Sequence, residues 1–112
     1  MKGVKAGSLR HRITIEQVTI KDGPYRDEEW SEYRKNVAAK VTFLSTKELV
    51  ASGAELSEVK ARIQVRYDKN INAKMRIKFR EELYEIEGVM PDNESGLQWL
   101  TLSVNKGLSY IK

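Results

Sequence analysis

The 112 residues are 40% hydrophobic and 32% charged, contain no cysteine, and carry a net charge of +4 from 20 basic and 16 acidic side chains. A chain this short fits one core, so a single β domain is expected over residues 1–112, with flexible residues 1–8 and a tail over 105–112. Disulfides and thiolate sites are excluded, no apolar run approaches the roughly 18 residues of a membrane span, and nothing near Met1 reads as a signal peptide, so a cytoplasmic setting is expected.

The first apolar alternation is "RHRITIEQVTI", residues 10–20, in which Ile13 and Ile15 share a face before the phase slips to Val18 and Ile20. A one-residue slip in a period-two pattern predicts a β-bulge near Glu16 and Gln17. "KDGPYRDEE" carries the breakers Asp22, Gly23 and Pro24 and reads as a polar loop. "NVAAKVTFL" then sets Val37, Ala39, Val41 and Phe43 against Lys40 and Thr42, a second strand.

"STKELVASGAE" breaks the alternation. Ser45 and Glu48 have capping-box spacing and Gly53 is a natural stop, which predicts about two turns of helix. The third strand, "EVKARIQVRY", points Val59, Ala61, Ile63, Val65 and Tyr67 inward and Lys60, Arg62, Gln64 and Arg66 outward. After "DKNINAK", Met75, Ile77 and Phe79 alternate with Arg76, Lys78 and Arg80 in a fourth strand, and Tyr84 and Ile86 alternate with Glu85 and Glu87 in a fifth. A two-residue turn at Glu81 and Glu82 would set Lys78 opposite Glu85, Arg76 opposite Glu87, Phe79 opposite Tyr84 and Ile77 opposite Ile86. In the sixth strand, "LQWLTLSV", Leu100, Leu102 and Val104 point inward and Trp99 outward. Six short strands and one helix between the second and third predict an all-β, mainly antiparallel small barrel.

Candidate sites are few. His11 is the only histidine, and without cysteine it cannot build a structural zinc site; no carboxylate and nucleophile pattern makes it a general base. Arg76, Lys78 and Arg80 resemble a phosphate track until the expected hairpin sets glutamates against two of them, Arg76 and Lys78. Arg10, Arg12, Arg62 and Arg66 remain for phosphate or for the acidic surface of a neighbouring subunit. Trp99 is an interface anchor or the cover of a barrel end. The acidic pairs at 27–29 and 81–82 sit in expected loops and carry no catalytic geometry; Gly-rich phosphate loops and nucleophile elbows are absent, so no enzyme is expected.

The ordered series "GSLRHRITI", Trp30, "STKELVASG", "RIQVRY" and "YEIEGV" resembles the head-tail joining proteins of long-tailed phages, also called head-closure, stopper or head-tail adaptor proteins. The likeness runs from about Gly7 to Val104; one departure is Ala38, where such proteins often carry a tryptophan. It implies a structural virion or prophage protein that forms a homo-oligomeric ring under the portal and its adaptor after DNA packaging. Such a ring retains the genome and offers a surface to tail-completion proteins. The resemblance implies no cofactor, no metal, no membrane and no small-molecule substrate; packaged double-stranded DNA is only the content of the channel, and host cytoplasm is the setting during assembly. Carried over by position, the channel segment is 45–58, including Ser45, Thr46, Lys47, Glu48, Gly53, Glu55 and Glu58. Leu9 and Ile13 become core residues, and Arg10 and Arg12, with Arg62, Arg66 and Trp99, become intersubunit or adaptor contacts. The rival reading is a small β-barrel that grips nucleic acid through the same four arginines.

Overall fold

A computed structural model describes residues 9–20, 23–24, 27–53, 59–91 and 98–106. Its elements in chain order are β1 (His11–Ile20), β2 (Glu28–Phe43), α1 (Thr46–Ala51), β3 (Lys60–Arg66), β4 (Arg76–Phe79), β5 (Glu82–Pro91) and β6 (Trp99–Asn105). The strands close an antiparallel barrel in the order β1-β2-β3-β6-β5-β4, with β4 returning to β1. Closure satisfies the strand edges that an open sheet of this size would expose. Asn105, expected in the tail, is the last residue of β6, while residues 1–8 and 107–112 lie outside the described residues.

The interior is what period-two alternation dictates. Ile13, Ile15, Ala39, Ala61, Ile63, Val65, Ile77, Phe79, Tyr84, Ile86, Leu100, Leu102 and Val104 fill it, joined by Ile71 and Met75 from the β3–β4 connection. Among the described residues no polar or charged side chain is buried there. The inward stripes lose their cover at the barrel ends. Val59 and Tyr67, expected inside, are 39% and 37% exposed, because both lie beyond the last paired residues of β3. Phe43, at the end of β2, is also exposed and leans over the rim toward Phe79 and Tyr84, with ring centroids 6.5 Å from each.

Two expectations need correction. The β4–β5 turn is Arg80–Glu81, not Glu81–Glu82, so the partners are Arg76 with Glu85, Ile77 with Tyr84, Lys78 with Leu83 and Phe79 with Glu82. A shift of this size leaves every side chain on its expected face, which is why alternation alone does not distinguish the two registers. Arg80 and Glu81 adopt φ values of 53° and 66°, left-handed at both central positions as a type I′ hairpin turn requires. Neither residue is suited to that region. Replacing the pair by Asn-Gly should therefore raise stability by about 1 kcal/mol, read as a higher thermal midpoint with unchanged fold.

The second correction concerns β2, which begins at Glu28 and runs for 16 residues. Glu28 and Glu29 are strand, not loop. The register with β1 shifts twice, between Ile13 and Ile15 and again between Ile15 and Glu16. In both places the extra residues belong to β2: Ile13 faces Val37, Ile15 faces Arg34 and Glu16 faces Glu32. Asn36, at the first shift, has a φ of 57°, a conformation asparagine accepts more readily than most residues. The bulges are thus on the partner strand. β1 itself continues without interruption, and the slip to Val18 and Ile20 means that its apolar side chains change to the outward side of the barrel.

Beyond Glu16 that outward side is part of an arm. β4 pairs with β1 only through Thr14, Ile15 and Glu16, whereas β1 and β2 go on pairing to Ile20 and Glu28. A two-stranded ribbon therefore extends past the barrel wall.

Candidate functional site

His11 opens β1 at the rim. Its Nδ1 accepts the Val41 N–H at 3.4 Å, and its ring stands edge-on to Phe79 with centroids 5.3 Å apart. The histidine is engaged in packing. Among the described residues no group of three His, Asp or Glu side chains converges as a metal site would need.

The four arginines are placed by register. Arg12 faces Ala38 across β1 and β2, Lys40 faces Gln64 across β2 and β3, and Arg62 and Arg66 stand two steps either side of Gln64. Since their neighbours Ile13, Ala39, Ile63 and Val65 are buried, Arg12, Lys40, Arg62 and Arg66 all project from one outer sheet face, with Ala38, Thr42 and Gln64 between them. Outward positions of β3 carry no acidic residue. Arg10, exposed just before β1, borders the same face. Lys40 was missed in the sequence because only the cross-strand register shows it beside the arginines.

Individual contacts hold these groups loosely. Arg12 donates to the backbone carbonyls of Leu9 at 3.4 Å and His11 at 3.3 Å. Arg62 pairs with Glu48 of α1 at 3.4 Å, both side chains being about half exposed, so the pair adds little stability in water. Arg66 lies over the Trp99 ring, 5.4 Å from its centroid, and both line an open depression with Tyr67 and Gln98.

In the basic row of β4, among the described residues, only Arg76 meets a carboxylate, and not the one expected; Lys78 faces Leu83. Arg76 donates to Glu16 of β1 at 2.6 Å and lies 4.1 Å above the Trp30 ring, while Glu87 instead takes Lys60 at 3.2 Å. Arg80 covers the rim face of Phe79 at 4.8 Å.

The segment after β2 is capped as its sequence implies. Glu48 N–H donates to the Ser45 hydroxyl, and the Glu48 carboxylate accepts from Ser45 N–H at 3.2 Å, a complete capping box, while Leu49 is the buried residue of the helix. Thr46 and Lys47 form the exposed first turn, and Gly53, at φ 78°, ends the helix in the left-handed region. Glu55 and Glu58 lie outside the described residues. The Ser45 backbone N–H, with the Ser45 hydroxyl and Arg62 in support, holds the Glu48 carboxyl below its ordinary range. A depressed carboxyl pKa means the cap's contribution is present above the unfolded carboxylate range and is lost as pH falls through the folded value. Helical carbon shifts of residues 46–51 should therefore collapse on acidification before the barrel unfolds. Ser45→Ala should weaken the same helix by about 1 kcal/mol at neutral pH while the barrel strands stay intact.

Residues 4–107 match the family model of the phage head completion protein. Among solved structures, the solution structure of a protein from Shigella flexneri 2a has a TM-score of 0.72 and 32% sequence identity, covering 92% of this chain and 96% of that one. A chain from the virion of a native gene transfer agent particle has a TM-score of 0.65 over 88% of this chain and 94% of its own; at 15% identity it shows the shared fold. A search of curated proteins gives no match. With nearly its whole length covered by the family model, and with a closed barrel whose polar side chains are committed to its surface, the chain belongs to the phage head completion protein family.

Proposed function

We propose that this chain closes the phage head as a structural ring component. It joins the portal and adaptor assembly after packaging, helps retain the DNA and presents the surface to which tail-completion proteins attach. The observation that carries this reading is the family match over residues 4–107. The same barrel in a gene transfer agent virion supports a place in the particle itself. The proposed role is binding, in keeping with a histidine packed at the rim and arginines spread over a sheet face. The segment from Ser45 onward, carrying α1, is the part directed to the channel, and Arg10, Arg12, Arg62, Arg66 and Trp99 belong to contact surfaces.

Deleting the gene from its phage or prophage tests the proposal. The expected result is full-length DNA packaged into heads that leak and lack tails, restored by supplying the protein in trans. Normal infectious particles from the deletion would overturn it. The basic outer face favours one second reading, a nucleic-acid grip. Under that reading the purified protein binds free duplex with an affinity that falls steeply with salt; under the head-closure reading duplex affinity is weak and adaptor-bearing portals are bound instead. Arg10→Glu with Arg12→Glu should leave a folded protein that supports head-tail joining poorly.

A further inference from the structure

We infer that the β1–β2 arm of one subunit lies on the basic outer sheet face of the next copy of this chain, a head-to-tail contact that deepens, and rests on, the ring reading above. The arm is built unlike the barrel wall. Its strand residues, 16–20 and 28–32, include Glu16, Glu28, Glu29 and Glu32 and no lysine or arginine. Cross-strand pairing puts Val18 beside Trp30 and Ile20 beside Glu28 on one side of the ribbon, and Ile20 is 54% exposed. An apolar strip edged by carboxylates, on a two-stranded ribbon with no third strand behind it, is marginal in water by itself and gains from a covering surface.

The complementary surface is on the same molecule but out of the arm's reach. Arg12, Lys40, Arg62 and Arg66 surround the flat Ala38, Thr42 and Gln64 positions of the outer face. The eight residue steps from Arg12 to Ile20 run along one unbroken strand, about 26 Å at roughly 3.3 Å per residue, so the arm cannot fold back onto its own basic face. Where two such different patches meet in one direction only, arm of one copy on face of the next, the contact is heterologous and generates a ring when the rotation closes; the reciprocal two-fold arrangement would stop at a dimer. The arm is also held stiffly enough to serve: Arg76 fixes Glu16 and Trp30 at its base, so its direction is set by the barrel.

Charge reversal in two chains tests this. One chain carries Glu28→Lys and Glu32→Lys on the arm; the other carries Arg62→Glu and Arg66→Glu on the face. All four positions are exposed, and unchanged thermal midpoints would establish that both variants fold. Each variant alone should lose ring formation, with about a hundredfold weaker self-association by sedimentation and few copies per completed head. Mixed in equal amounts, they should recover, since each reversed arm then meets a reversed face and each native arm a native face. If wild type forms rings and both variants do so equally well, or if mixing restores nothing, the arm contact is overturned while the head-closure role stands. A wild-type protein that completes heads as isolated single copies would overturn the ring and the contact together.

Discussion

Replacing Ile63 with alanine should lower the unfolding free energy by about 2–5 kcal/mol. Ile63 is 0% exposed and lies in the middle of β3, with Val41 facing it on one side and Leu102 on the other. Three strands meet through that side chain, so its loss leaves a cavity at the centre of the barrel wall. Since a domain of this size is stable by roughly 5–15 kcal/mol, the variant should be partly unfolded at moderate temperature. Urea denaturation checks this, with Ile63→Val as the graded control at about 0.5–1.5 kcal/mol. The outward neighbour Arg62→Ala should change stability by no more than about 0.5 kcal/mol, because its ion pair is exposed. Equal midpoints for Ile63→Ala and wild type would mean that the inward stripe of β3 does not form the core.

β3 shows why so much of the barrel was legible. Each of its residues is either inside or outside, both neighbouring strands pair with it without interruption, and the sequence records that as strict alternation from Lys60 to Arg66. The α1 cap was legible for a similar reason, since Ser45 and Glu48 satisfy each other locally and need nothing from the rest of the chain. The first half of β2 was not. "EEWSEYRKN" alternates poorly because two bulges reset its phase and because, in the arm, neither side of the ribbon faces the core. The hairpin register failed on a subtler point: moving the turn to Arg80–Glu81 preserves the faces, and only backbone angles unfavourable to those residues distinguish the answer. The basic outer face was legible as residue types and not as a place. Arg62 and Arg66 share a strand, but that Arg12 and Lys40 join them depends on pairings across three strands, and Arg76 is paired by Glu16, 60 residues away in sequence, and not by the hairpin glutamate expected for it.

That long-range pair supports the second large effect. Arg76→Ala should cost about 1–3 kcal/mol and should loosen the arm before the barrel, because it removes two contacts at once. The guanidinium Nε lies 2.6 Å from a Glu16 carboxylate oxygen, with side-chain exposures of 18% and 16%, and its carbon sits 4.1 Å over Trp30. Taking away the cation leaves a largely desolvated carboxylate facing Glu32 across the ribbon, with no opposite charge at its former distance. Half-exposed ion pairs elsewhere on this surface, such as Arg62 with Glu48, have no comparable leverage. Glu16→Gln combined with Arg76→Ala should be less damaging than the sum of the single changes, since the stranded charge is then absent, and a double-mutant cycle measures the difference. Amide exchange gives the location: Val18, Ile20 and Trp30 should lose protection in Arg76→Ala while Ile63 and Leu102 keep theirs. If the arm is the element that reaches a neighbouring subunit, the same variant should complete heads poorly at temperatures where its barrel is still folded.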